Sequence, residues 1–153
     1  MIAVNAKIQQ TKFVVLSSSI KTHIVKEDTS IDLSKIPIDT DYQILTHQDQ
    51  GPHTVRVVLT INGNSTKAVS GYVFELRFGA EYKLAEEIDP ESREYADLLH
   101  FSALTCVINE ARTYLQAQTA FFPFGSYIMP MIDMQDLVRQ KAKLPKSEEA
   151  KKS

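Results

Sequence analysis

Thr54-Val55-Arg56-Val57-Val58-Leu59-Thr60-Ile61-Asn62-Gly63 is the stretch on which the fold turns. Val55, Val57, Leu59 and Ile61 alternate with Thr54, Arg56, Val58 and Thr60, the period-2 pattern of a half-buried strand. Asn62-Gly63 follows, and a type I′ hairpin turn favours that dipeptide because both central residues need positive φ. Beyond it Tyr72, Phe74, Leu76, Phe78, Ala80, Tyr82 and Leu84 occupy every second position. At ~3.3 Å per residue that strand runs on the order of 45 Å, long enough to overhang its sheet or to meet a second subunit. The two strands predict the antiparallel centre of a sheet.

Working upstream, Val4 to Leu16 reads as a strand whose phase slips. Val4, Ala6 and Ile8 share one face, Phe13 and Val15 the other, and a bulge near Gln9 to Thr11 restores a single buried face. Residues 20–39 read as a crossing loop with short extended pieces, since Ile31, Leu33, Ile36 and Ile38 are spaced through polar residues and interrupted by Pro37. Tyr42 and Ile44, with Thr46, give a short strand closed by Gln50-Gly51-Pro52.

Downstream, Asp89-Pro90 is a helix start, with Asp89 as cap and Pro90 at the first helical position. Tyr95, Leu98, Leu99, Leu104, Val107, Ile108, Ala111, Leu115 and Gln118 mark one face at a 3.6-residue period. The helix stops before Phe121-Phe122-Pro123, and Asp133 caps a shorter one holding Met134, Leu137 and Val138. Residues 1–143 are therefore expected to form one α+β domain. Its architecture is a four-stranded antiparallel meander with one long and one short helix packed on one face. The charged residues 144–153 lack apolar periodicity and are expected to be a disordered tail.

Composition narrows the chemistry. With 153 residues the chain can bury a core without disulfides. Its one cysteine, Cys106, reads as a buried helical thiol, and the absence of a cysteine pair points to a reducing cytoplasm. The first ten residues have no basic segment leading into an apolar run, and no apolar stretch reaches the roughly 18 residues of a membrane span. A net charge of −2 gives no field for nucleic acid or an anionic membrane, so neither is expected as a partner. His23, His47, His53 and His100 show no metal-ligand spacing and read as surface or core-edge residues. Neither cofactor nor metal is implied, and no residue pattern supports an enzyme.

One segment departs from ordinary composition. Phe121, Phe122, Phe124, Tyr127, Ile128, Met129, Met131 and Met134 crowd fourteen positions interrupted by Pro123, Gly125 and Pro130. Connecting loops are usually polar because they face water. A loop this apolar is either buried against the helix and a partner subunit, or forms an exposed groove for apolar segments. The three methionines suit the second use, since thioether side chains repack around varied partners.

The run from Ala111-Arg112, through the aromatic loop, to Ile128-Met129-Pro130-Met131-Ile132-Asp133-Met134 and Leu137 resembles the signature region of the SecB family. It aligns without a gap from Ala111 to Leu137. The resemblance implies a cytoplasmic, ATP-independent holdase, a homotetramer built as a dimer of dimers, that holds unfolded polypeptide in apolar grooves. It implies Phe121, Phe122, Phe124, Tyr127, Met129, Met131, Met134 and Leu137 as client-binding residues. Ile31, Leu33, Ile36 and Tyr42 would form the opposite wall. The long helix and first strand would supply oligomer contacts.

Departures from the family pattern bear on the client. Thr113 follows Ala-Arg where an acidic residue is usual, Met131 replaces a second proline, and Asp133 and Met134 stand for Asn and Phe. Export members are strongly acidic and dock the translocase motor through that charge, whereas here Arg56 and Arg77 lie among the outward strand residues. The favoured client is accordingly an antitoxin of a toxin–antitoxin or phage-defence system. The alternatives are a general chaperone delivering preproteins to the translocase motor, and a non-chaperone oligomeric interaction protein on the same fold.

Overall fold

The computed structural model describes residues 1–144. The expected disordered tail therefore lies outside the described residues, apart from Leu144, which terminates the last helix.

Four antiparallel strands form one sheet: β1 (Ile8–His23), β2 (Ile38–His47), β3 (Gly51–Gly63) and β4 (Gly71–Leu84), in the order β1-β4-β3-β2. The meander proper is β2-β3-β4, and β1 joins it beside β4. Residues 24–37 must therefore cross one end of the sheet, with a 3-10 turn at Leu33–Lys35. The helices follow as α1 (Arg93–Asp97), a π stretch (Leu98–Ala103) and α2 (Leu104–Thr119), together one long helix, then the short α3 (Met134–Lys143).

The β1 strand begins and ends later than the pattern suggested, and the reason is visible in its spacing. Ile8, Phe13 and Ile20 all pack on the core, although they are separated by odd intervals. In a period-2 strand each odd interval needs one extra residue. The register shifts twice, between Gln10 and Lys12 and between Val15 and Ser17. The first bulge sits where the slipping phase of Val4 to Leu16 requires it. The second carries the strand on through Ser17-Ser18-Ser19, a stretch that offers no apolar alternation of its own.

The hairpin also turns later than Asn62-Gly63. Both residues remain in the ladder, opposite Glu75 and Phe74, and residues 64–70 make the connection. Asn64 (φ 54°) and Lys67 (φ 55°) supply the left-handed positions, and the Asn64 side chain bridges to the Val69 backbone. Gly63 is required for space rather than for turn geometry. A Cβ there would lie within about 2.2–2.6 Å of the Phe74 ring, which is fully buried.

The long helix starts at Ser92, whose hydroxyl accepts the Tyr95 N–H, while Asp89 caps the preceding turn through the Glu91 N–H. Its buried face is Tyr95, Leu99, Ala103, Leu104, Val107, Ile108, Ala111, Leu115 and Thr119. Leu99 and Leu104 are five residues apart and would diverge on a regular α-helix. The Leu104 N–H bonds the Leu99 carbonyl, the wider π turn that brings both onto the sheet. The same phase leaves Gln118 exposed and Thr119 buried. It also turns Cys106 outward, so this thiol is exposed and not buried as expected.

Candidate functional site

The apolar loop between α2 and α3 is fixed to the body by backbone atoms rather than by its apolar side chains alone. The Thr119 hydroxyl, fully buried, donates to the Leu115 carbonyl at 2.7 Å and accepts the Tyr127 N–H at 2.8 Å. The Tyr72 hydroxyl donates to the Gly125 carbonyl at 2.7 Å and accepts the Phe124 N–H at 3.1 Å. Ser126 donates to the Gln116 carbonyl, and the Arg112 Nε–H reaches the Met129 carbonyl at 2.9 Å. The Ala111-Arg112 pair thus serves two ends, since Ala111 packs into the core while Arg112 pins the chain beyond the loop.

With the backbone held, the apolar side chains separate into three groups. Tyr127 and Met129 are buried, the Tyr127 ring 5.7 Å from that of Phe74. Burial pushes the Tyr127 phenol up to about 12. Phe122 and Phe124 are half-buried, flanking Tyr72 with ring centroids 5.8 and 5.5 Å away. Phe121, Ile128 and Met131 project into solvent at 96%, 64% and 83% exposure. Burial alternates from Tyr127 to Pro130, with Tyr127 and Met129 in and Ile128 and Pro130 out, and the alternation ends at Met131, which is exposed.

The remaining predicted residues fall in two places. Met134 and Leu137 are half-buried on the inner side of α3, with Val138, where they cover part of the core. Tyr42, buried in β2, lies beneath the same helix: Lys141 Nζ stands 5.9 Å from its ring centroid and pairs with Asp41 at 3.0 Å. On the other side its ring meets His100 edge-on. Leu33 and Ile36 close over Gly71 at the start of β4, adjacent in sequence to Tyr72 and hence to Phe122 and Phe124. Ile36 is buried, Leu33 half-buried and Ile31 exposed. Crossing segment and interhelix loop thus converge on one end of β4, whereas Tyr42 sits apart, under α3.

Polar chemistry is sparse by comparison. Among the described residues no three His, Cys, Asp or Glu side chains are grouped so as to hold a metal ion. His23 and His53 bond the Lys67 and Ile88 carbonyls, and His47 meets Arg56 and Glu81. Desolvation by neighbouring groups and then the Glu110 carboxylate hold the Cys106 thiol above its ordinary pKa, which disfavours the thiolate. No helix among the described residues is long and apolar enough to cross a membrane.

No family model and no curated protein matches the sequence. Among solved structures, the SecB-like chaperone Rv1957 of Mycobacterium tuberculosis, in complex with a ChAD peptide from the Rv1956 HigA1 antitoxin, superposes with a TM-score of 0.57. The match covers 83% of this chain and 91% of that one at 11% sequence identity. The chain has a SecB-like fold. A protein of unknown function from Streptococcus agalactiae also matches, at a TM-score of 0.48 and 6% identity, over 84% of this chain and 100% of that one. Within this SecB-like fold β1 contains two register shifts and the long helix a π stretch.

Proposed function

We propose that this chain is an ATP-independent holdase that binds unfolded or aggregation-prone polypeptide on the apolar surface of its interhelix loop. One observation carries the reading. Phe121, Ile128 and Met131 are held out in water by a loop whose backbone is anchored at Thr119, Tyr72 and Arg112. Exposing such residues lowers solubility unless something binds them. Burial of apolar area gains roughly 25 cal/mol per Å² without regard to sequence, which is the recognition an unfolded client needs.

The proposed binding surface consists of Phe121, Phe122, Phe124 and Met131, extended by Met134 and Leu137 on α3 and by Ile31 and Leu33 across the sheet end. Tyr127, Met129, Ile36 and Tyr42 support it from beneath. The functional protein is proposed to be a cytoplasmic homotetramer, a dimer of dimers joined through β1 and the long helix. An antitoxin is the favoured client, by analogy with the SecB-like chaperone whose structure contains an antitoxin peptide. The export role has less support. Arg56 and Arg77 stand on the outer sheet face, and Glu81 there is engaged by Arg56 at 3.4 Å, so the acidic residues of that face are interspersed with cations that oppose a basic motor protein.

The test uses the projecting residues, because they support nothing in the protomer. Phe121→Ala combined with Met131→Ala is expected to raise the Kd for an unfolded model protein about five- to twentyfold, the loss of two large apolar contacts. Thermal stability and oligomeric mass should stay as in the parent. Unchanged affinity would remove the loop from the binding surface. A changed mass would mean that the loop joins subunits, favouring the non-chaperone oligomer.

A further inference from the structure

The sheet face away from the helices contains a second apolar feature, remote from the loop. Val14 and Leu16 of β1, Leu45 of β2 and Val58 of β3 surround Gly79 of β4, forming an open hollow of about 490 Å³. Leu16 and Leu45 are about half exposed. Gly79 has no positive φ to explain it. Its role is spatial: a Cβ would stand 3.2 Å from a Val14 methyl and 3.5 Å from Leu16, filling the floor.

The rim is charged, and unevenly so. Lys12, Arg56 and Arg77 border the hollow against the single carboxylate of Glu81. Glu81 is already engaged by Arg56 at 3.4 Å and His47 at 3.5 Å. Neither Lys12 nor Arg77 makes an ion pair with any described residue, although Glu75 lies two positions from Arg77 on the same face. A chain with net charge −2 thus concentrates cations around one apolar hollow.

We propose that this hollow is a docking site for an acidic polypeptide segment that seats an aliphatic side chain over Gly79 and sets its carboxylates against Lys12 and Arg77. The floor is aliphatic, with no aromatic face on which a nucleic-acid base could stack. A second copy docked face to face would oppose Arg56, Arg77 and Lys12 to their own counterparts, which electrostatics disfavours. The site is separate from the client surface, so the protein can hold a client on the loop and a second, acidic protein on the sheet.

The probe is a soluble twelve-residue peptide of Glu and Asp with two central leucines, compared with its lysine-substituted counterpart. Titration of the full-length protein followed by amide NMR is expected to shift Val14, Leu16, Leu45, Val58 and Gly79 with the acidic peptide alone. Arg77→Glu should weaken binding about tenfold or more, as should raising the salt. Phe121→Ala should leave it unchanged. The proposal is overturned if no shift appears at these residues, if the basic peptide binds equally, or if shifts concentrate at Phe121 to Leu137. Tighter binding by a single-stranded oligonucleotide, or an oligomeric mass altered by Leu45→Ser, would overturn it as well.

Discussion

The Thr119 hydroxyl joins the last turn of the long helix to the chain beyond the loop, donating to Leu115 while it accepts the Tyr127 N–H. Thr119→Val keeps the shape and removes the acceptor, leaving a buried N–H without its partner. The expected cost is ~1–3 kcal/mol, read as a lower urea midpoint at unchanged slope. Client affinity should fall with it, because the projecting side chains lose their fixed backbone. At this scale the sequence was only partly legible. The crowding of Phe and Met marked the loop, but hydrophobicity could not say which members are anchors. Tyr127 and Met129 turned out buried, and Phe121 almost wholly exposed. Gln118 and Thr119 illustrate the same limit: one step of helical phase decides which is inside, and the π turn upstream had already moved that phase.

Elements were more legible than their joints. Alternation from Val55 to Ile61 and from Tyr72 to Leu84 marked β3 and β4, and Asp133 caps α3 as its sequence implies, accepting the Asp136 N–H. The hairpin turn was misplaced because Asn62-Gly63 satisfies two requirements alike, a type I′ turn and a close approach, and packing against Phe74 decided for the second. Gly63→Ala should consequently cost ~2–3 kcal/mol through overpacking, measurable by denaturant unfolding. If Gly63 served only a turn, the loss would be smaller and Phe74→Leu would not relieve it. In the π stretch, burial lowers the pKa of His100 below its ordinary 6.5, with Asp97 opposing. The unfolded chain then takes up the proton more readily than the folded one. This contribution to stability is full above about pH 6.5 and is lost as pH falls below it. Unfolding free energy should decline between pH 6.5 and 5, and His100→Gln should flatten that part of the profile.

For the whole molecule, strand alternation followed by two amphipathic helices was enough to predict a sheet covered on one side. Placing β1 beside β4 required the long-range pairing that only the folded chain reveals. The two faces have opposite characters: helices and an apolar loop on one, an arginine-bordered hollow on the other. The apolar loop on the first face is the part proposed to hold unfolded polypeptide. Its most direct test is the aggregation of a chemically unfolded model protein diluted into buffer without ATP, with light scattering and oligomeric mass followed together. A holdase is expected to suppress scattering at about one oligomer per client, and Phe121→Ala with Met131→Ala to forfeit most of that protection at the same mass. Scattering unaffected by the parent protein at any ratio would mean that the protein is not a holdase.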